Sequence, residues 1–379
     1  MRGLAAVLVL FDHTHQLFLE DITRNPSAHG VALGFVYALS SAGPEAVAIF
    51  FVLSGFLVSG SMLRWLANGQ WSWRRYLTHR LVRLWLVLLP GLLLCAFWDN
   101  ARLLLLHAHV AHGAGFAAAR PPGDGLGWKT LLGNVFFLQD IRFDTFGSDR
   151  VLWSLAFEFW YYILFPCAVL ALHRRSSPLA RVLYALAFLA VAAFAGRAIL
   201  ALFPVWLLGT AIHWLKPPRA SSFLRWTGLL LYLPAVGYIV SHPWNSHFFK
   251  LDYLVGLFTA ALIWLALSAR GPANPRSLLT RVSRRLAGFS YSLYVVHYPL
   301  LAFAAALLVR GASPWKPDPE HLLFCALLIC IAIAYGWLIA SLTEFHNDAV
   351  RDWAERRIVP PGSVSAHNRN ARNAITPNG

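Results

Sequence analysis

Charge is scarce in this chain. Of its 379 residues, 13% are charged and 58% are hydrophobic. A soluble enzyme carries roughly 25% charged residues, so this balance points to a polytopic membrane protein. Acids are scarcer than bases: 17 Asp and Glu stand against 32 Lys and Arg, a formal net charge of +15. A nucleic-acid binder shares that excess, but carries it on soluble, aromatic-bearing modules. Here the basic residues sit mostly between apolar runs, the pattern of membrane topology. Cysteine is reduced to Cys95, Cys167, Cys325 and Cys330, all in apolar segments. Their spacing excludes a cysteine metal site and leaves them as small core residues. No internal repeat is visible.

What the chain has in abundance is long apolar runs. Ten are predicted to span a bilayer, which takes about 20 residues each: 3–19, 43–63, 81–99, 152–172, 180–196, 198–215, 226–241, 251–269, 287–309 and 321–343. The predicted fold is an all-α integral membrane protein of about ten transmembrane helices. Residues 1–345 form the membrane domain, and 346–379 form a cytoplasmic tail whose polar end is disordered. The basic residues alternate from loop to loop so that both termini are predicted to be cytoplasmic. Residues 31–42 are apolar but short, as in an interfacial or re-entrant piece. The longest connection, 100–150, holds a predicted amphipathic helix at 128–138, and 344–357 mixes acids and bases as an interfacial helix does. No cleaved signal is expected, because Asp12 to His15 follow the first run without a small-residue cleavage site.

An ionisable group inside a membrane helix is costly, and its default reading is functional. His13 is such a group, with Arg2 eleven residues ahead of it. At 1.5 Å per residue the two lie ~16 Å apart on one helix. They therefore cannot touch, and mark two depths. Arg2 at the helix start suits a phosphate or a positive-inside anchor. Arg80 and Arg83, three apart on one helical face, form a second basic pair suited to a polyphosphate or to lipid headgroups. Glu158 lies about six residues inside the fourth span, and His13 about six residues from the far end of the first. The shared depth predicts that the carboxylate orients the imidazole. Ser54 and Gly55 interrupt the second span with a hydroxyl and a site of close backbone approach. Tyr291, Tyr294 and His297 recur at three-residue steps in the ninth. His107, His109 and His112 lack the spacing and the neighbouring carboxylates of a metal site.

Taken in order, Arg2-x10-His13, Phe50-Phe-x-x-Ser-Gly55, Arg80-x-x-Arg83, Trp153-Ser-Leu-x-x-x-Glu158 and Tyr291-Ser-Leu-Tyr-x-x-His297 resemble the acyltransferase 3 family of membrane O-acyltransferases. The resemblance spans roughly residues 2–345. It implies acyl transfer from acyl-CoA, usually acetyl-CoA, to a hydroxyl of a glycan, lipid-linked sugar or similar acceptor at a lipid bilayer, here expected to be a bacterial inner membrane. It implies that His13 is catalytic and that Arg2, Arg80 and Arg83 bind the donor's phosphates. Glu158 is expected to be catalytic beside His13, and Ser54, Trp153, Tyr291, Tyr294 and His297 to line the substrate pocket. No metal, no tightly bound cofactor and no nucleic-acid partner are expected. The rival reading, a transporter or flippase, also puts ionisable residues at mid-membrane, but does not require a double-arginine polyphosphate site.

Overall fold

The computed structural model describes residues 1–20, 34, 37, 42–106, 125–216, 218–241, 248–268, 277–309 and 314–358. The short apolar piece at 31–42 (apart from Gly34, Tyr37 and Ala42), the three loop histidines and the tail beyond residue 358 lie outside these. Among the described residues the chain is helical, with two isolated bridges and no named strand. The helices are α1 (Arg2–Phe18), α2 (Gly43–Ala67), α3 (Trp73–Leu106), α4 (Trp128–Val135), α5 (Trp153–Leu172), α6 (Pro178–Ala211), α7 (Ser222–Ser241), α8 (Phe248–Ala266), α9 (Leu278–Leu308), α10 (Pro319–Leu342) and α11 (Asn347–Ile358).

Among the described residues, six helical stretches are long and apolar enough to cross a membrane. At 17 residues α1 sits at the lower limit of the ~17–25 that a crossing needs. The apolar runs 180–196 and 198–215 are one helical stretch, α6, with Gly196 at φ 84° inside it. Glycine adopts that backbone at little cost, other residues rarely. The neighbours of α6 along α5 show what the break does. Arg181 lies beside Ala171, Phe194 against Trp160, Ile199 beside Tyr161, and Trp206 against Phe165. The contacts first climb α5 and then descend it, so the chain doubles back at Gly196.

The core is a layer of aromatic and branched side chains where α1, α2, α5, α6 and α9 meet. The most extensive packing joins α1 to α9, α2 to α6, α5 to α6, and α9 to α3 and α10. Gly55 lets α2 and α6 approach closely: a Cβ there would stand 1.9 Å from the Trp206 carbonyl oxygen. Asp12 accepts the Gly43 backbone N–H and a 2.8 Å bond from the Gln16 amide. It thus ties the far end of α1 to the start of α2, where a carboxylate also suits the helix dipole.

The amphipathic segment is α4, which buries Gly133 and Asn134 and exposes Trp128 and Leu132. The mixed-charge segment 344–357 is a short 3₁₀ turn followed by α11. Glu355 on α11 pairs with Arg75 at 2.8 Å and His79 at 3.0 Å, fixing α11 to the start of α3.

Candidate active site

Two helices running side by side in the same direction, α1 and α9, carry half of the candidate residues. Arg2 meets the start of this pairing. Its Nε donates to the Ser290 hydroxyl at 3.0 Å, its Nη2 donates to the Ala287 carbonyl, and Glu344 lies 3.9 Å away. Glu344 is itself held by the Ser292 backbone N–H at 2.9 Å and hydroxyl at 3.0 Å.

At the other end of α1, His13 Nδ1 and His297 Nε2 are 2.9 Å apart. His297 Nδ1 lies 2.9 Å from the Leu293 carbonyl oxygen. A carbonyl only accepts, so His297 Nδ1 must carry the proton. In a neutral ring, His297 Nε2 is then an acceptor. His13 Nδ1–H therefore donates to it, and the lone pair of His13 is left on Nε2. Tyr298 packs edge-on to the His13 ring, with centroids 4.9 Å apart. His297 is fully buried, whereas His13 is half-buried.

Glu158 is not at His13. It accepts from Ser54 Oγ at 2.8 Å and from the Tyr162 hydroxyl one turn along α5. The Trp206 indole N–H donates to Ser54 Oγ at 3.3 Å. The shared depth of His13 and Glu158 did not bring them together, because α1 packs on α2, α9 and α10 while α5 packs chiefly on α2 and α6. The orienting partner of the imidazole is His297, and Glu158 closes a polar cluster with Ser54.

Arg2, Ser54, Glu158 and Glu344 open onto connected space. One cavity of ≈ 650 Å³, part of it open to solvent, runs from Arg2 and Arg83 past Ser54, Glu158 and Tyr291 to Ser154 and Tyr294. Its far end is one helical turn from His297, since the Tyr294 and His297 rings are 6.2 Å apart. A second, more polar cavity of ≈ 590 Å³ meets it at Arg2, Arg83 and Tyr291 and continues to Glu344 and Asp348. The Tyr294 hydroxyl bonds Ser154 Oγ at 2.7 Å, and Tyr291 donates to the Leu84 carbonyl at 3.2 Å.

The two arginines of α3 part company here. Arg83 lines both cavities and makes no hydrogen bond or ion pair with a described residue. Arg80 lines neither. It donates to Ser61 Oγ at 3.0 Å and lies over the rings of Tyr76 and Tyr162. Trp153, grouped by sequence with the substrate pocket, faces a third cavity on the other side of Phe51. Sequence reasoning passed over Ser154, inside a quoted motif, Ser290, directly before one, and Glu344, the first acid of the mixed-charge segment after the last apolar run.

An acyltransferase-domain family model matches residues 1–343. The chain belongs to the acyltransferase 3 family. Acyltransferase MdmB of Streptomyces mycarofaciens is 25% identical over 398 residues, which cover 95% of this chain and 92% of that protein. No solved structure matches the chain. Within this family of acyltransferases, the apolar helices here are those of a multi-pass membrane protein.

Proposed function

We propose that this acyltransferase moves an acyl group, acetyl in the first instance, from acyl-CoA to a hydroxyl of a glycan, lipid-linked sugar or similar acceptor. In this reading ten crossings leave both termini in the cytoplasm. The polar cavity at Arg2, Arg83 and Glu344 receives the donor's phosphates from that side. The acyl arm lies in the apolar cavity beyond, with its thioester near Tyr294.

The observation that carries the reading is the hydrogen-bond chain from His13 through His297 to Leu293. It leaves His13 Nε2 as a base with a fixed ring orientation, the arrangement of a base and its orienter in acyl transfer. His13 Nε2 takes the proton of the acceptor hydroxyl as its oxygen attacks the thioester carbonyl. The tetrahedral intermediate collapses, the C–S bond breaks, and the thiolate of CoA leaves. The imidazolium returns the proton to the sulfur, so the products are the ester and free CoA. Glu158, held by Ser54 and Tyr162, shapes the cavity wall along which the acyl arm lies.

Among the arginines, Arg83 has uncommitted donors, whereas Arg2 is held by Ser290 and Ala287, so Arg83 is the principal phosphate ligand. A charge-assisted hydrogen bond is worth about 1.5–3 kcal/mol, or roughly tenfold to a hundredfold in affinity. Acetyl-CoA binding to purified protein, followed by calorimetry, is expected to weaken by that factor in Arg83→Ala and to change much less in Arg80→Ala. Equal loss in both would assign the whole pair to the donor. No loss in either would return both to lipid anchoring.

A further inference from the structure

The third cavity has a composition that the donor does not use. It spans ≈ 630 Å³, part of it open to solvent, and is lined by apolar groups of α2, α5 and α6, among them Val47, Phe51, Trp153 and Phe157. One ionisable side chain lines it, Asp252 at the start of α8. That side chain is 7% exposed and makes no hydrogen bond or ion pair with any described residue. Glu45 lies close enough for its charge to act on Asp252, and its Oε2 is buried without a partner.

A carboxylate removed from water and left without a cation is expensive. Two in one neighbourhood compound the cost; a backbone N–H at the start of α2 offsets it for Glu45, whereas no described residue hydrogen-bonds or ion-pairs with Asp252. Three aromatic side chains in mutual contact line the same cavity as Asp252. Phe51 and Trp153 have centroids 6.2 Å apart, Phe51 and Phe157 6.2 Å, and Trp153 and Phe157 4.9 Å. Aromatic faces and a buried anion around one apolar space are the chemistry that holds an organic ammonium.

We propose that this cavity binds the acceptor, and that the acceptor is an amphiphile with an apolar body and a protonated or quaternary amine. The amine sits between Asp252 and the Phe51–Trp153–Phe157 rings. Val47 and Phe51 also line the donor cavity, so the two chambers share a wall two side chains wide, across which a hydroxyl of the acceptor meets the thioester. The word acceptor rests on the acyl-transfer reading above; the ammonium site does not.

The test uses the full-length protein, purified, with choline and its uncharged isostere 3,3-dimethylbutan-1-ol as probes in calorimetry. Choline is expected to bind about tenfold tighter, the scale of a desolvated cation–π and ion-pair contribution. Asp252→Asn should remove that preference and leave acetyl-CoA binding as in the wild type, which also shows that the variant is folded. Equal affinity of the two probes for the wild type overturns the proposal without recourse to any variant, as does a preference that survives Asp252→Asn. A choline preference in a protein that fails to consume acetyl-CoA would remove the acyl-transfer reading and leave the ammonium site standing.

Discussion

His13→Ala is expected to lower acyl transfer by about 10²–10⁴-fold, the usual contribution of a positioned general base, with donor affinity unchanged. The expectation follows from the tautomer. Leu293 fixes the proton of His297, His297 fixes the proton of His13, and the one unengaged lone pair of the couple is His13 Nε2. Initial rates of free-CoA release, measured beside acetyl-CoA affinity on the same preparation, separate the two effects. A variant that inserts, binds acetyl-CoA and keeps full turnover would remove His13 from the chemistry. One that loses binding as well would make His13 a structural residue of the bundle.

The second large effect is expected at His297. It touches neither cavity, and its role is to hold the His13 ring and its proton. Misplacing a reacting group by ~1 Å costs on the order of 10²-fold in rate, so His297→Ala should lower kcat by about that factor and leave KM for acetyl-CoA unaltered. A residue of purely structural importance would reduce the amount of folded protein and change both parameters. His297→Gln offers an amide oxygen where Nε2 accepts and should recover part of the lost kcat. Failure of glutamine to recover any activity, with folding intact, would argue against a hydrogen-bond-accepting role.

The helices were legible because a run of apolar residues broken by basic ones has few alternatives. The start of α1 at Arg2, the reach of α10, and the amphipathic character of α4 all follow from pattern. The amphipathic helix ends at Val135 rather than at 138, where the chain turns through Asn134. Neighbours were not legible. Hydropathy gives the height of a residue along a helix, but not the direction in which it faces or the helix it meets. His13 and Glu158 were matched by height alone, and the fold placed His297 beside one and Ser54 beside the other. The same limit hid the difference between Arg80 and Arg83, which share a face by spacing yet reach different surroundings. Asp252 stands second in the predicted span 251–269, two residues after Lys250, and hydropathy there gives neither its facing nor its neighbours. Only packing reveals that it faces an aromatic chamber.

In the proposed mechanism Arg2 and His13 mark the two ends of one donor path, phosphates at the first and acyl transfer at the second. An experimental structure of the protein with acetyl-CoA tests it most directly. The account predicts the donor's phosphates within hydrogen-bonding reach of Arg83 and Arg2, the acyl arm running past Ser54 and Glu158, and the thioester at the Tyr294 end below His13. Phosphates bound elsewhere, or a thioester remote from His13, would contradict it.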